Sequence, residues 1–381
     1  MALTDKLTAI GNAIRGKTGG TDLLTLDGMV TAINGISTGG ATLPPEAYVI
    51  TGDCSNLFSG GKWKWYIDLF GSQVTTNNIT SCSYMFANSR KLTNIPFSIN
   101  GKSSENYISC NGMFQDCDAL LTLPTLTIKP YDMSSMFNRA KRIREIPESY
   151  ATTIDFSRVN SYSSSSIDSM FTDCYSLRTI PSSFLKQCYS TSTSSYSCFY
   201  YSAFNGAQCL NEIVGLPIPP VTFTSNVFYN TFYNCHRVKN IIFDTNEDGT
   251  AKTANWTNQV IDLTEYVGTI GFDLNIILGY NSGITSDKYV NDPNKWIEFK
   301  NSNDPDWYTD YTAYSRYDKV SAIATINSLP DTSAYIAANG GTNTIKFKGE
   351  AGSGIYYGAI NTMTEEEIAV ATAKGWSVAY A

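Results

Sequence analysis

The chain has 381 residues, of which 42% are hydrophobic, enough to bury a sizeable core and to exclude wholesale disorder. Charged residues are only 16%, against roughly 25% in an average soluble protein, and 27 Lys and Arg face 34 Asp and Glu for a net charge of −7. With no basic stripe and no apolar run near the ~18 residues of a membrane span, neither nucleic acid nor a membrane is an expected partner.

Residues 3–36 read as two short helices. Leu3, Leu7, Ile10 and Ile14 form one apolar stripe at helical spacing. A Gly-rich turn from Lys17 to Asp22 follows, and Met29, Ala32, Ile33 and Ile36 form the second stripe. Gly11 to Thr18 satisfies the phosphate-loop expression, with Gly11, Gly16, Lys17 and Thr18 in place. That chemistry needs a buried strand before the loop and a helix starting at the Lys. Here a helical pattern precedes the motif and Gly19-Gly20 follows it, so nucleotide binding is not expected. The start also lacks the apolar core of an export signal, which points to synthesis in the cytoplasm. Ser37 to Gly40 then reads as a linker.

The middle of the chain repeats. An apolar residue precedes a Phe, with an aliphatic seven positions after the first and another at ten. The copies are Met85-Phe86 with Leu92 and Ile95, Met113-Phe114 with Leu120 and Leu123, Met136-Phe137 with Ile143 and Ile146, and Met170-Phe171 with Leu177 and Ile180. Two looser copies follow, Ala203-Phe204 with Leu210 and Ile213, and Thr231-Phe232 with Val238 and Ile241. Successive copies are 28, 23, 34, 33 and 28 residues apart, lengths within or just above those of leucine-rich repeats. A unit of this kind cannot bury its apolar strip alone, whereas stacked neighbours bury it together in a solenoid with a continuous core. The expected repeat core is Phe86, Leu92, Ile95, Phe114, Leu120, Leu123, Phe137, Ile143, Ile146, Phe171, Leu177 and Ile180. The Met-Phe pair is expected on a short helical turn on the opposite wall. Pro96, Pro124, Pro147 and Pro181 follow the strips and should keep the strands short.

Nine cysteines accompany one histidine, His236. An odd count, no Cys-x-x-Cys pair and a lone His argue against a disulfide framework and a zinc site. Cys117, Cys174 and Cys235 stand four residues after the first anchor, and Cys82 and Cys110 three before it. A regular phase makes them buried fillers of the repeat, so no metal and no other cofactor is expected. Long spacings mark insertions at Ser161–Ser166 and at Tyr189–Phe204, the second rich in Ser, Thr and Tyr. Such mixtures suit adaptable recognition. Tyr189, Tyr196, Tyr200 and Tyr201 are therefore candidates for a binding face.

Further on, Asp304, Asp306 and Asp310 mingle with Trp307, Tyr308, Tyr311, Tyr314 and Tyr317. Aromatic faces beside carboxylates can hold sugars, and Trp307, Tyr308 and Tyr311 join the candidate face. No hydrolase motif surrounds these acids, and their spacing lacks the glycine and closing Glu of an EF-hand. Val320 to Leu329 predicts a helix and Thr344 to Lys348 a strand. Thr364 to Glu367 is a capping box, so a helix should follow and stop at Lys374-Gly375, before a strand in which Trp376, Val378 and Tyr380 alternate.

The pattern Met-Phe-x-x-Cys-x-x-Leu at Met113 and Met170, within residues 80–243, resembles leucine-rich repeat proteins of the bacterial surface-adhesin type. The segment from Leu7 through Lys17-Thr18-Gly19 to Leu26-Asp27-Gly28-Met29 resembles a short module of tailed-bacteriophage structural proteins, those of tail and baseplate above all. Thr364 to Trp376 looks like the terminal segment of phage proteins that carry such repeats. These resemblances imply an α/β repeat fold, a leucine-rich repeat solenoid with short strands. Its expected layout is an N-terminal helical attachment module (1–40), a solenoid cap (41–79), the solenoid (80–270) and a C-terminal aromatic-rich segment with an α/β cap (271–381).

The implied function is that of a non-enzymatic virion structural protein, a tail, baseplate or fibre component. It would bind other virion proteins through residues 1–40 and a host-surface glycan or protein through the repeat face. It would be made in the host cytoplasm and exposed after lysis. Fibres are often symmetric, so a homo-oligomer is expected, with a trimer the first form to test. The alternatives are a capsid-mounted head fibre or decoration protein, and a bacterial surface adhesin.

Overall fold

The computed structural model describes residues 49–61, 64–102, 107–157, 167–189, 199–235, 238, 240–264, 297–300, 308–311, 319–347 and 363–380. The chain divides ahead of Ile50, and all the described residues but Val49 belong to the unit that begins there. The two helices over 3–36, the Gly11–Thr18 motif, the Ser161–Ser166 insertion, residues 190–198, His236, Asp304, Asp306, Trp307, Tyr314 and Tyr317 lie outside the described residues.

Each Met-Phe copy forms a run of overlapping turns. In the copy at Phe86, Met85 N–H donates to the Cys82 carbonyl at 3.0 Å, Ala87 to Tyr84 at 3.0 Å and Ser89 to Phe86 at 3.1 Å. The intervening N–H groups leave the segment. Tyr84 donates to the Asn111 carbonyl at 2.9 Å, Phe86 to Met113 at 3.0 Å and Asn88 to Gln115 at 2.8 Å, all in the next copy. The same bonds join Phe114, Phe137, Phe171, Phe204 and Phe232 in series. One further copy stands in front, because Asn56 donates to Ser83 at 2.9 Å, Phe58 to Met85 at 2.7 Å and Gly60 to Ala87 at 2.7 Å. Seven turn segments therefore stack, and the first lies inside the stretch expected to be a cap.

The backbone explains why these are not helical turns. The residues two before and two after every one of the seven Phe have positive φ, from 50° at Ser202 to 73° at Gly206. A right-handed helix has only negative φ, so the helical turn expected for the Met-Phe pair does not form. Gly, Asn or Asp fills six of the seven positions after the Phe (Gly60, Asn88, Asp116, Asp173, Gly206, Asn234), and these tolerate that region best. Arg139 at the seventh costs about 1–2 kcal/mol, and its guanidinium recovers part of that through Asp116 at 3.1 Å.

This repeated geometry stacks the rings. Successive centroids from Phe58 through Phe232 lie 5.3, 5.7, 5.7, 5.7, 5.8 and 6.1 Å apart, with planes within 11° of parallel. Each pair adds about 0.5–1.5 kcal/mol beyond the burial itself. Three residues after the Phe, Ser89, Cys117, Cys174 and Cys235 donate to the Phe carbonyl of the segment before, at 2.6, 3.1, 3.0 and 3.1 Å. Four residues before the Phe, the inward position reads Cys54, Cys82, Cys110, Met133, Ile167, Tyr200, Phe228, all buried. The side chain there changes from Cys in the first three segments to an aromatic ring in the last two. Across the core, the expected strip residues are buried, with Leu123 only partly so.

Pairing outside the turns is short. β1 (Val49–Asp53) lies beside β2 (Thr75–Ser81). The pairs that follow along the coils are parallel: β3 (Ile99–Asn100) with β5 (Leu126–Thr127), β4 (Ile108–Ser109) with β6 (Pro130–Asp132), and β7 (Glu212–Leu216) with β8 (Asn240–Phe243). The C-terminal elements close the far end. The helix expected over Val320–Leu329 runs Lys319–Ser328, and the strand β12 runs Asn343–Phe347. The capped helix runs Glu365–Ala373 and β13 runs Trp376–Tyr380. β9 (Val260–Asp262) leaves the repeat and pairs with β12, which pairs with β13. Asn343 ties the junction, donating to the Trp256 carbonyl at 3.0 Å and accepting from Gln259 N–H at 2.9 Å. Among the described residues no helix is long and apolar enough to cross a membrane.

Candidate binding surface

The position three before each Phe lies at the surface in every segment but the one with Ser134. It reads Ser55, Ser83, Asn111, Ser134, Asp168, Tyr201, Tyr229 along the stack. The early rungs are knitted to their neighbours by short polar side chains, with Ser55 to Ser81 at 2.7 Å, Ser83 to Ser109 at 2.6 Å and Asn111 to Ser134 at 2.5 Å. At the last two rungs the face turns aromatic. Tyr201 and Tyr229 stack with centroids 5.5 Å apart and planes 15° from parallel, and they are 39% and 57% exposed.

Beyond Tyr229 the ladder stops. The next coil pairs elsewhere, through a parallel bridge between Phe223 and Trp256. Asn226 Oδ1 accepts from Phe228 N–H and from Val260 N–H, both at 3.1 Å, and Gln259 Oε1 accepts from Val227 N–H at 3.1 Å. These side chains tie the start of β9 to residues 226–228, ahead of the last turn segment. A cleft of about 240 Å³ results, lined by Asn226, Tyr229, Asn230, Tyr233, Val260 and Asp262. The N–H groups of Asn230, Phe232 and Asn234 are the ones that cross to the next segment everywhere earlier, and among the described residues they meet no acceptor. Asp262 Oδ1 accepts from Thr264 N–H at 3.0 Å, and its Oδ2 lies 3.5 Å from Lys346 Nζ.

The residues expected on a binding face divide. Tyr201 is exposed and forms half of the aromatic pair. Tyr200 is corrected to a core residue: it is fully buried, its ring stacks on Phe228 at 4.5 Å, and its hydroxyl donates to the Pro217 carbonyl. The position four before the Phe faces the core in every segment and the next one does not in this segment, so only one of the two tyrosines faces out. Tyr189 is partly buried against the core. Tyr196 and Trp307 lie outside the described residues. Tyr308 and Tyr311 sit at the two ends of β11 (Tyr308–Tyr311), opposite Lys300 and Ile297 of β10 (Ile297–Lys300), away in sequence from the pair. Tyr229, Tyr233 and Asp262 were not expected. Tyr229 carries a readable signal, since it holds the same phase as Tyr201.

Charge on the neighbouring turns is paired rather than gathered. Lys141 and Arg90 flank Asp118 at 3.2 and 3.7 Å, and Lys186 and Lys252 flank Asp244. Eight of the cysteines are free and buried. Burial pushes the Cys117, Cys174 and Cys235 thiols well above their ordinary range, which holds them as neutral thiols and weak nucleophiles. Among the described residues no group of three His, Cys, Asp or Glu side chains could hold a metal ion. No protein-family model, no curated protein and no solved structure matches the chain.

Proposed function

We propose that the chain is a non-enzymatic structural protein of a tailed-phage virion, a tail, baseplate or fibre component built on a leucine-rich repeat solenoid that binds a host surface or a virion neighbour. The observation that carries the binding half is the outward rung that changes from Ser and Asn to the exposed, stacked Tyr201 and Tyr229. Backbone bonds fix the stack, so the rings are held ready before any partner arrives. Tyr adds broad contact area with only two side-chain torsions to freeze, which suits it to recognition. The virion half rests on the resemblances of residues 7–29 and 364–376.

Gold-tagged antibody against the chain, applied to purified particles from a lysate, tests the location. Gold at the tail tip supports the tail or baseplate assignment. Gold on the head moves the chain to a capsid fibre or decoration role. Unlabelled particles with the antigen on bacterial cells overturn the virion reading in favour of a surface adhesin.

A further inference from the structure

We propose that the cleft at the end of the turn ladder is a subsite for a single neutral pyranose ring, presented by a surface glycan and stacked on Tyr229. The subsite rests on the host-surface reading and gives it a ligand class and a place.

The turn segment that borders the cleft offers hydrogen-bond donors in excess among the described residues. On the segment that borders it, the carbonyls of Phe228, Asn230 and Phe232 are already used in turns, accepting from Thr231, Tyr233 and Cys235 at 3.2, 3.4 and 3.2 Å. The N–H groups of Asn230, Phe232 and Asn234 meet no acceptor among the described residues, and of the three Asn230 lines the cleft. The edge is therefore a row of donors without matching acceptors. A peptide strand brings alternating donors and acceptors and would leave half of its own groups unmatched there. A sugar hydroxyl can accept from an edge N–H and donate its own proton elsewhere. The Asp262 carboxylate stands across the cleft as the acceptor for that proton, and Asn226 adds an amide at the rim. Tyr229 supplies the flat apolar surface that the C–H face of a pyranose requires, and Tyr201 backs the ring at 5.5 Å.

Size and charge narrow the class. At about 240 Å³ the cleft lies below the roughly 300–1,000 Å³ of drug-sized pockets, which suits one ring rather than an oligosaccharide. Asp262 and a net charge of −7 repel carboxylated or phosphorylated sugars, and the nearby Lys346 is already paired with Asp262.

The test is saturation-transfer NMR on the full chain with methyl glycosides of glucose, galactose, mannose, N-acetylglucosamine and N-acetylgalactosamine, followed by titration of any that respond. At least one should bind, with transfer strongest to the protons of one ring face. Tyr229→Ala should weaken binding by at least about fivefold, the loss expected for truncating an aromatic anchor. Tyr229→Phe keeps the ring and should stay within about twofold. Asp262→Asn should weaken binding as well, and Tyr84→Ala, an exposed tyrosine on a distant rung, should not. Tyr229→Phe keeps the stack on Tyr201 and should unfold at the parent's urea midpoint. Tyr229→Ala should lose no more than the stability of one ring pair and stay fully folded in the absence of urea, which separates loss of site from loss of fold. Retention of the parent on agarose bearing mannan, amylose or galactan, lost in Tyr229→Ala, supports a polymer source. Silence with all five glycosides, or a response indifferent to Tyr229→Ala, overturns the proposal. So does retention of an unbiased peptide library in place of the sugars. Tail-tip gold beside silent NMR would leave the virion role standing and remove only this subsite.

Discussion

The stacked phenylalanines make a prediction whose size follows from position alone. Phe137 has a parallel neighbour on each side, Phe114 and Phe171, both at 5.7 Å, whereas Phe232 has only Phe204, at 6.1 Å. Both rings are buried to the same degree, 1% exposed, so Phe→Leu removes similar apolar area and leaves similar small voids at both sites. The difference between the two variants then isolates ring–ring pairing. Phe137→Leu forfeits two pairs, about 1–3 kcal/mol at 0.5–1.5 each, and Phe232→Leu forfeits one. The interior variant should therefore cost about 0.5–1.5 kcal/mol more than the terminal one. Urea titration followed by tyrosine and tryptophan fluorescence gives both values, provided the slope is unchanged and only the midpoint moves. Equal losses, or a larger loss at Phe232, would refute the view that the ring stack adds stability beyond burial.

Three other outcomes follow from local chemistry. The buried thiols of Cys117, Cys174 and Cys235 have folded-state pKa values raised by burial, while in the unfolded chain they ionise near 8.5. Their contribution is complete below about pH 8.5 and is lost as pH climbs toward the folded values, at about 1.4 kcal/mol per pH unit for each thiol, or roughly 4 for the three. Urea midpoints should thus fall steeply above pH 9, and Cys174→Ala should make that fall shallower; a flat profile to pH 10.5 would contradict the burial. At the C-terminal cap, Thr364 Oγ1 accepts from Glu367 N–H at 3.3 Å while the Glu367 carboxylate accepts from Thr364 N–H at 2.7 Å. Thr364→Ala should cost about 1 kcal/mol, read by hydrogen exchange in 365–373, and no change there would mean the box is idle. Gly206→Ala places a methyl group 2.2 Å from Asp173 Oδ1 on the preceding rung, at φ +73. It should lower stability by roughly 1–3 kcal/mol in the same urea assay, and a neutral result would show that the rungs can shift apart.

The repeat was legible because its anchors are apolar and in phase, and the C-terminal elements because a capping box and alternation are local signals. The first segment escaped because Lys64 stands six residues after Phe58, where later copies carry Leu92 or Leu120. Its other marks were present, Cys54 four before the ring and Asn56 and Gly60 flanking it, but they carry meaning only beside the alternating backbone of the later copies. The same blind spot produced the expected helical turn. Apolar residues at Met113, Phe114 and Cys117 mimic one face of a helix, and only Gly, Asn and Asp recurring two residues after the Phe betray the positive φ that forbids it.

The candidate site was harder to read for a different reason: it is defined by where a pattern fails. Tyr200 and Tyr201 look equivalent in a Tyr-rich stretch, and only their phase to Phe204 sends one inward and the other out. The cleft beside Tyr229 lies where the turn ladder ends, although the coil itself goes on through the parallel bridge of Phe223 with Trp256. The strand that would have covered Asn230 to Asn234 is instead drawn to β12, far downstream in the chain. No window of sequence contains that competition between a missing rung and a distant sheet. Its product is a row of backbone donors beside an exposed, stacked aromatic residue, and that coincidence, rather than any motif, is what marks the place for a ligand.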